Sequence, residues 1–280
     1  VVRILPLLYM DGLTILIIRG HYMVLQYKEF GDSSSPLMVF IHGGGVNGWM
    51  WDKQIKHFTN YHCLVPDLLE QGKNKSKDPF SINFSAEKII DLIEEKSQGQ
   101  TVIVIGFSLG AQVLISMLSM KPNLIQYAMI NSALVKPIPF AKTLISSLSL
   151  TYFLIKSKTF SKIQATSMYI DETQFDNYYH DSCQINKNTF VRILEENMSF
   201  TIPKGFKDAN SNILVTVGNK EKRIMKDSMT EILENNTNCT GIIIPKIGHG
   251  ISLANPILFN TLIENWLEHD ILPEDLIIVN

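Results

Sequence analysis

Cysteine is scarce in this chain. Cys63, Cys183 and Cys239 are the only three in 280 residues, an odd number set far apart, which excludes a disulfide framework. No CxxC pair offers metal-ligand spacing, so no metal and no other cofactor is expected. The scattered thiols predict a reduced, cytoplasmic protein. An excess of one charge is also missing: 25 Lys and Arg face 27 Asp and Glu, and the basic residues are spread along the chain. A nucleic-acid partner, which demands a basic face to neutralise phosphates, is therefore not expected. At the start of the chain no apolar run approaches the ~20 residues of a membrane span. The start, residues 1–22, is apolar but broken by Arg3, Pro6, Asp11 and Arg19. It lacks the small-residue cleavage site of a leader, and Met23 offers a natural start. Asp11-Gly12 within it reads as a hairpin turn. Residues 1–22 are taken as an extension with no assigned role.

What is present is a rhythm of short apolar runs and amphipathic stretches. Val24–Phe30, Leu37–Ile41, His62–Pro66, Thr101–Ile105 and Ile125–Ile130 read as strands. Between them, Trp49–Phe58, Ser85–Lys96 and Leu109–Met120 read as helices. After a break, Ile213–Val217 and Gly241–Ile244 restore the strand pattern, with helices at Arg223–Leu233 and Pro256–Glu268. Strands alternating with helices predict an α/β protein with a mostly parallel, doubly wound sheet. The break, residues 137–207, carries helical spacing and no clean buried strand. It is read as a helical cap inserted between two parts of one core, 23–136 and 208–280. The insertion holds eleven of the chain's 26 aromatic residues, Tyr152, Phe153, Tyr178 and Tyr179 among them. Those rings either face an apolar substrate or form the cap's own core.

Gly106-Phe107-Ser108-Leu109-Gly110 is a G-x-S-x-G sequence between a buried strand and an apolar helix. That is the context in which such a turn exposes a serine oxygen, because only glycine fits at its two ends. A hydroxyl needs a base to become a nucleophile. Of the seven histidines, His249 follows the last parallel strand, so it shares the carboxyl edge of the sheet with Ser108. His21, His57, His62, His180 and His269 lie in segments that need no histidine. The orienting carboxylate is expected just past the penultimate strand, where Glu221 is favoured over Asp227, which falls inside a helix. Asp208 precedes that strand and is at the wrong end.

One stretch reads two ways. In the FIHGGGVNGW sequence from Phe40 to Trp49, Gly43, Gly45 and Gly48 satisfy the dinucleotide fingerprint, with Asp67 after the next strand. An NAD-dependent oxidoreductase follows from that reading. Against it stand His42, which such a loop does not use, and bulky Trp49, where helix and strand must pack closely. Ser108 and His249 would then be coincidences. The favoured reading leaves Asp67 an ordinary turn residue.

Taken together, FIHGGG, VPDL, GFSLG, VGNKE and IGHG resemble the α/β-hydrolase superfamily, in that superfamily's order and over nearly all of the chain beyond residue 20. The likeness is to its capped, small-substrate serine hydrolases. It implies an oxyanion hole built from the amides of Gly44 and Leu109. It implies a Ser108–Glu221–His249 triad working through an acyl-enzyme on a small ester, thioester, amide or carbon–carbon bond, with carboxylesterase-like activity. The acid is Glu221 where the superfamily commonly has aspartate, and the turn after Pro66-Asp67-Leu68 departs from the usual pattern. Because a fold does not fix a function, a binding module on the same scaffold is the alternative.

Overall fold

The computed structural model describes residues 25–74, 78–269 and 276–279. The expected extension at 1–22, its hairpin turn and His21 lie outside them. The strands are β1 (Tyr27–Phe30), β2 (Leu37–Ile41), β3 (His62–Pro66), β4 (Val102–Phe107), β5 (Tyr127–Asn131), β6 (Asn212–Gly218), β7 (Cys239–Ile244) and β8 (Ile277–Val279). β2, β3 and β4 are buried at every residue, as continuous apolar runs covered on both faces must be. The sheet order is β1-β3-β2-β4-β5-β6-β7-β8. Its inner pairs are parallel, and the two outer strands, β1 on β3 and β8 on β7, run antiparallel. The sequence pattern gave no sign of β8, a three-residue strand that leaves too short a run for a period to show.

Helices cover both faces: α1 (Asp52–His57), α2 (Ile82–Lys96), α3 (Leu109–Met120), then α4 (Ala141–Leu150), α5 (Lys158–Ser167), α6 (Glu172–Gln184) and α7 (Lys187–Ser199), then α8 (Arg223–Asn235), α9 (Ile251–Ala254) and α10 (Pro256–His269). One core layer packs α2 and α3 on the sheet through Ile89, Ile93, Leu114 and Leu118. The other joins Phe40, Trp51 and Phe259, whose rings lie 5.2 and 6.0 Å apart in succession. Two helix starts differ from the sequence expectation. The stretch expected as a helix from Trp49 opens with a 3-10 turn, Gly48–Trp51, because Asn47 caps it by accepting from the Trp49 N–H. Helix α2 begins ahead of Ser85, where the Ser81 hydroxyl accepts from the Phe84 N–H at 3.2 Å.

The register positions the site. Ile41 stands opposite Gly106, and Phe107 opposite Asn131. The loops leaving β2, β4 and β5 therefore emerge side by side at the carboxyl edge. Helices α4 to α7 occupy the interval between β5 and β6 without a strand, α4 packing on α7 and α5 on α6. The aromatic residues there divide. Phe175 and Tyr178 are buried, with Phe175 stacked on Tyr179, while Phe140 and Phe153 face solvent.

Candidate active site

Ser108 sits between β4 and α3 at φ 54° and ψ −113°, a backbone conformation that costs a non-glycine residue free energy. Packing holds it there. A Cβ on Gly106 would come within 2.5 Å of the Gly110 carbonyl oxygen, and one on Gly110 would strike the backbone carbonyls of Ile41 and His42. The Ser108 N–H donates to Asn131 O at 2.9 Å, continuing the sheet ladder past the strand end. A serine at this position usually caps its helix, but Ser108 makes no side-chain cap. Its hydroxyl lies 3.0 Å from His249 Nε2 instead.

His249 Nδ1 lies 2.8 Å from Glu221 Oε2. The three residues expected from the sequence are thus brought into one hydrogen-bonded chain. The Glu221 side chain is 2% exposed against 37% for His249. Glu221 Oε1 accepts from the Gly218 N–H at 2.8 Å and from the Ser132 hydroxyl at 2.7 Å. Burial resists ionisation of Glu221, but its bond to His249, the imidazolium charge, Gly218 and Ser132 outweigh that and hold its pKa below the ordinary value. Lys220 N–H donates to Ile247 O at 2.9 Å, stitching the acid loop to the histidine loop. The alternative acid, Asp227, lies along α8 and pairs with Arg223 at 3.8 Å. Ser132 was missed by sequence reasoning. It follows β5 at φ 55°, and its only sequence signal is its place at a strand's carboxyl end. Among the other histidines, His57 pairs with Glu264 and His62 with Glu29, each at 2.7 Å.

The glycine loop is held from beneath by side chains. His42 is fully buried. It bridges Gly43 O, 2.7 Å from Nδ1, and the Leu68 N–H, which donates to Nε2 at 2.9 Å. Those partners require a neutral ring protonated on Nδ1. Burial drives the His42 pKa down, against the opposing pull of Asp67 and the bond to Gly43 O. Asp67 is more than the ordinary turn residue expected. Its Oδ1 accepts from the Gly48 N–H at 3.2 Å and its Oδ2 from the Lys73 N–H at 2.9 Å, so it ties the glycine loop to the loop after β3. Its spacing from Gly48 fitted a ribose partner, yet backbone N–H groups of its own chain occupy the carboxylate. Gln71 Oε1 accepts from the Gly45 N–H at 3.1 Å.

A sequence model of the alpha/beta hydrolase fold matches residues 36–148, which takes in the glycine loop and the serine turn. An AB hydrolase superfamily protein of Gibberella zeae is 28% identical over 99 residues, 35% of each chain. Lipase LipV of Mycobacterium tuberculosis is 25% identical over 99 residues, 35% of this chain and 38% of that one. These matches span little more than a third of either relative's length. Among solved structures, MGS-M2, an alpha/beta hydrolase enzyme from a Medee basin deep-sea metagenome library, superposes with a TM-score of 0.75 at 16% identity. It covers 89% of this chain and 96% of that one. The chain has the alpha/beta hydrolase fold, and its residues 36–148 match that family's sequence model.

Within this hydrolase fold, Gly44, Gly45, Ser108 and Leu109 line a cavity of about 250 Å³. Ile155, Met168, Tyr178, Phe190, Ile193 and Leu194, from the inserted segment, line it as well. As the first residue of α3, Leu109 has an N–H without an intrahelical acceptor. Among the described residues, no group of three His, Cys, Asp or Glu is arranged to hold a metal ion, and no helix is long and apolar enough to cross a membrane. The three cysteines are unpaired, and burial pushes Cys63 and Cys239 up to about 12.

Proposed function

We propose that this chain is a serine hydrolase acting on a small ester-type substrate with an apolar acyl group. The observation that carries the reading is the hydrogen-bonded chain from Glu221 through His249 to Ser108, at the ends of strands β6, β7 and β4. Ser108 Oγ attacks the carbonyl carbon while His249 Nε2 accepts its proton. Glu221 keeps the other ring proton on Nδ1 and stabilises the imidazolium that forms. The N–H groups of Gly44 and Leu109 receive the oxyanion, each worth roughly 3–4 kcal/mol of transition-state stabilisation. His249 then protonates the leaving group, and a water activated by the same imidazole releases the acid from Ser108.

Residues 137–207 act as the lid. The cavity of about 250 Å³ suits a short acyl chain or a single ring, since a cavity of ~150 Å³ already takes up benzene. A lipase and an esterase, both of Mycobacterium tuberculosis, are among the relatives, which supports an ester over a thioester, amide or carbon–carbon bond. The unpaired thiols fit a cytoplasmic setting.

The test is labelling with a fluorophosphonate probe beside hydrolysis of p-nitrophenyl esters of graded acyl length. Wild type is expected to label and to turn over acetate to hexanoate esters with a fall beyond them. Ser108→Ala is expected to lose labelling and to drop turnover roughly 10⁴-fold or more. An unlabelled wild type, or equal labelling of Ser108→Ala, removes the reading.

A further inference from the structure

Helix α6 carries a carboxylate that reaches back to the glycine loop. Asp181 Oδ2 accepts from Asn47 Nδ2 at 2.8 Å and from Trp49 Nε1 at 2.7 Å. Asn47 and Trp49 flank Gly48, whose N–H donates to Asp67 Oδ1 at 3.2 Å. Residues 47–49 are therefore gripped twice, by the loop after β3 and by the lid. The Asn47 side chain serves both ends of this arrangement: its Oδ1 caps the 3-10 turn through the Trp49 N–H at 3.1 Å, while its Nδ2 goes to Asp181. Only Val46 separates Gly43–Gly45 from Asn47, the cap of this turn.

A carboxylate is a costly way to make this link. Desolvation pushes the Asp181 pKa up and the nearby Asp67 charge adds to that, against the pull of Trp49, His180 and Asn47. A lid whose only need was to rest on the sheet could do so through apolar contacts. A second lid residue reaches the other working loop: the Gly248 N–H donates to Tyr169 Oη at 2.9 Å, one residue before His249. The lid thus bonds to both loops that the proposed reaction uses, three residues past Gly44 and one residue before His249.

We propose that Asp181 is a positioning residue for the oxyanion site: by holding Asn47 and Trp49, the seated lid fixes the loop that carries Gly44, and the site is complete only when α6 is down. This rests on the serine-hydrolase reading. The lid then does more than shape the acyl cavity, because a substrate that lets α6 seat also orders the donor that stabilises its own tetrahedral intermediate. Asp181 acts through the loop and touches no substrate.

The experiment compares Asp181→Ala and Asp181→Asn with wild type on p-nitrophenyl butyrate, normalised by phosphonate titration of Ser108 so that unfolded protein is not counted. Misplacement of a catalytic group by about 1 Å costs on the order of 100-fold. Asp181→Ala is accordingly expected to lower kcat some 10- to 100-fold with KM within about threefold of wild type. Binding of a trifluoromethyl ketone, which forms a tetrahedral oxyanion on the serine, should weaken in step with kcat. Asp181→Asn keeps an oxygen acceptor for Trp49 and is expected to recover most of the loss. An unchanged kcat per titrated site in Asp181→Ala, a change confined to KM, or no recovery in Asp181→Asn overturns the proposal. A wild type that does not label removes the serine-hydrolase reading, and this proposal with it.

Discussion

At the carboxyl edge of the sheet, the Ser108 N–H bonds to Asn131 O and the Ser132 N–H to Thr216 O, so the residues that meet there hang on backbone bonds that prolong the strand ladder. Over that edge, the inserted helices are tied down mostly by side chains. Asp181 holds Asn47 and Trp49, Glu70 accepts from Thr189 and Arg192, and Asn197 exchanges bonds with Gln112. Asn131, Ser132 and Thr216 at that edge are also buried, whereas Phe140, Leu150, Phe153 and Ile163 of the insertion lie open to solvent. The difference separates two tasks. On the proposed reading, backbone anchoring beneath a close-packed layer would hold the reacting atoms, and polar side-chain ties would let the cover lift and return.

The largest effect expected from breaking this contrast is at the edge, in Glu221→Gln. The Gly218 N–H and the Ser132 hydroxyl both donate to one carboxylate oxygen. The amide oxygen of a glutamine must therefore take that place, which turns its NH₂ toward His249 Nδ1. The imidazole is then driven to the tautomer protonated on Nε2 and cannot accept from Ser108. Turnover is expected to fall roughly 1,000- to 10,000-fold with the fold intact, measured as kcat beside a circular dichroism melt. A loss below tenfold would show that the carboxylate does not set the tautomer.

A smaller effect concerns His42, the anchor beneath the glycine loop. Its pKa in the folded protein is depressed by burial. The unfolded chain therefore binds this proton more readily, and the stability tied to a neutral His42 is present above ~6.5 and lost as pH falls through the range below it. Chemical denaturation between pH 8 and pH 5 should show the loss. In His42→Gln, whose amide oxygen replaces Nε2 as acceptor for the Leu68 N–H, the curve should start about 1–2 kcal/mol lower at pH 8 and slope less. Equal slopes would remove His42 as the titrating anchor.

The sequence made the edge far more legible than the cover. Leu37–Ile41 was read with its observed bounds because an unbroken apolar run of that length has few other uses. Ser108, Glu221 and His249 could be placed because parallel strands present their carboxyl ends on one side, so chain order alone brings the three together. Asp67 was misjudged, since the glycine spacing offered it one role and the rejection of that role seemed to leave none. Ser132 gave no signal beyond its place after β5, because a serine after a strand is common and its value lies in reaching Glu221. Asp181 stayed hidden for a related reason. An acid on an amphipathic helix reads as a solvated face, and its partners stand more than 130 residues earlier in the chain.

The smallest effect belongs to the outer face of the cover and tests whether it carries structural weight. Phe140 is 87% and Phe153 66% exposed, so both rings forgo most of the burial that makes an interior phenylalanine worth several kcal/mol. Phe140→Ser and Phe153→Ser should each leave stability within about 0.5 kcal/mol of wild type, a shift of no more than ~2 °C in melting temperature for a chain of this size. Such indifference in these rings, beside the sensitivity of Glu221, would fix the working contacts of the insertion on its inner side. A loss of several degrees in either variant would mean instead that the outer rings are covered in solution, and the contrast between a buried edge and an open cover would have to be redrawn.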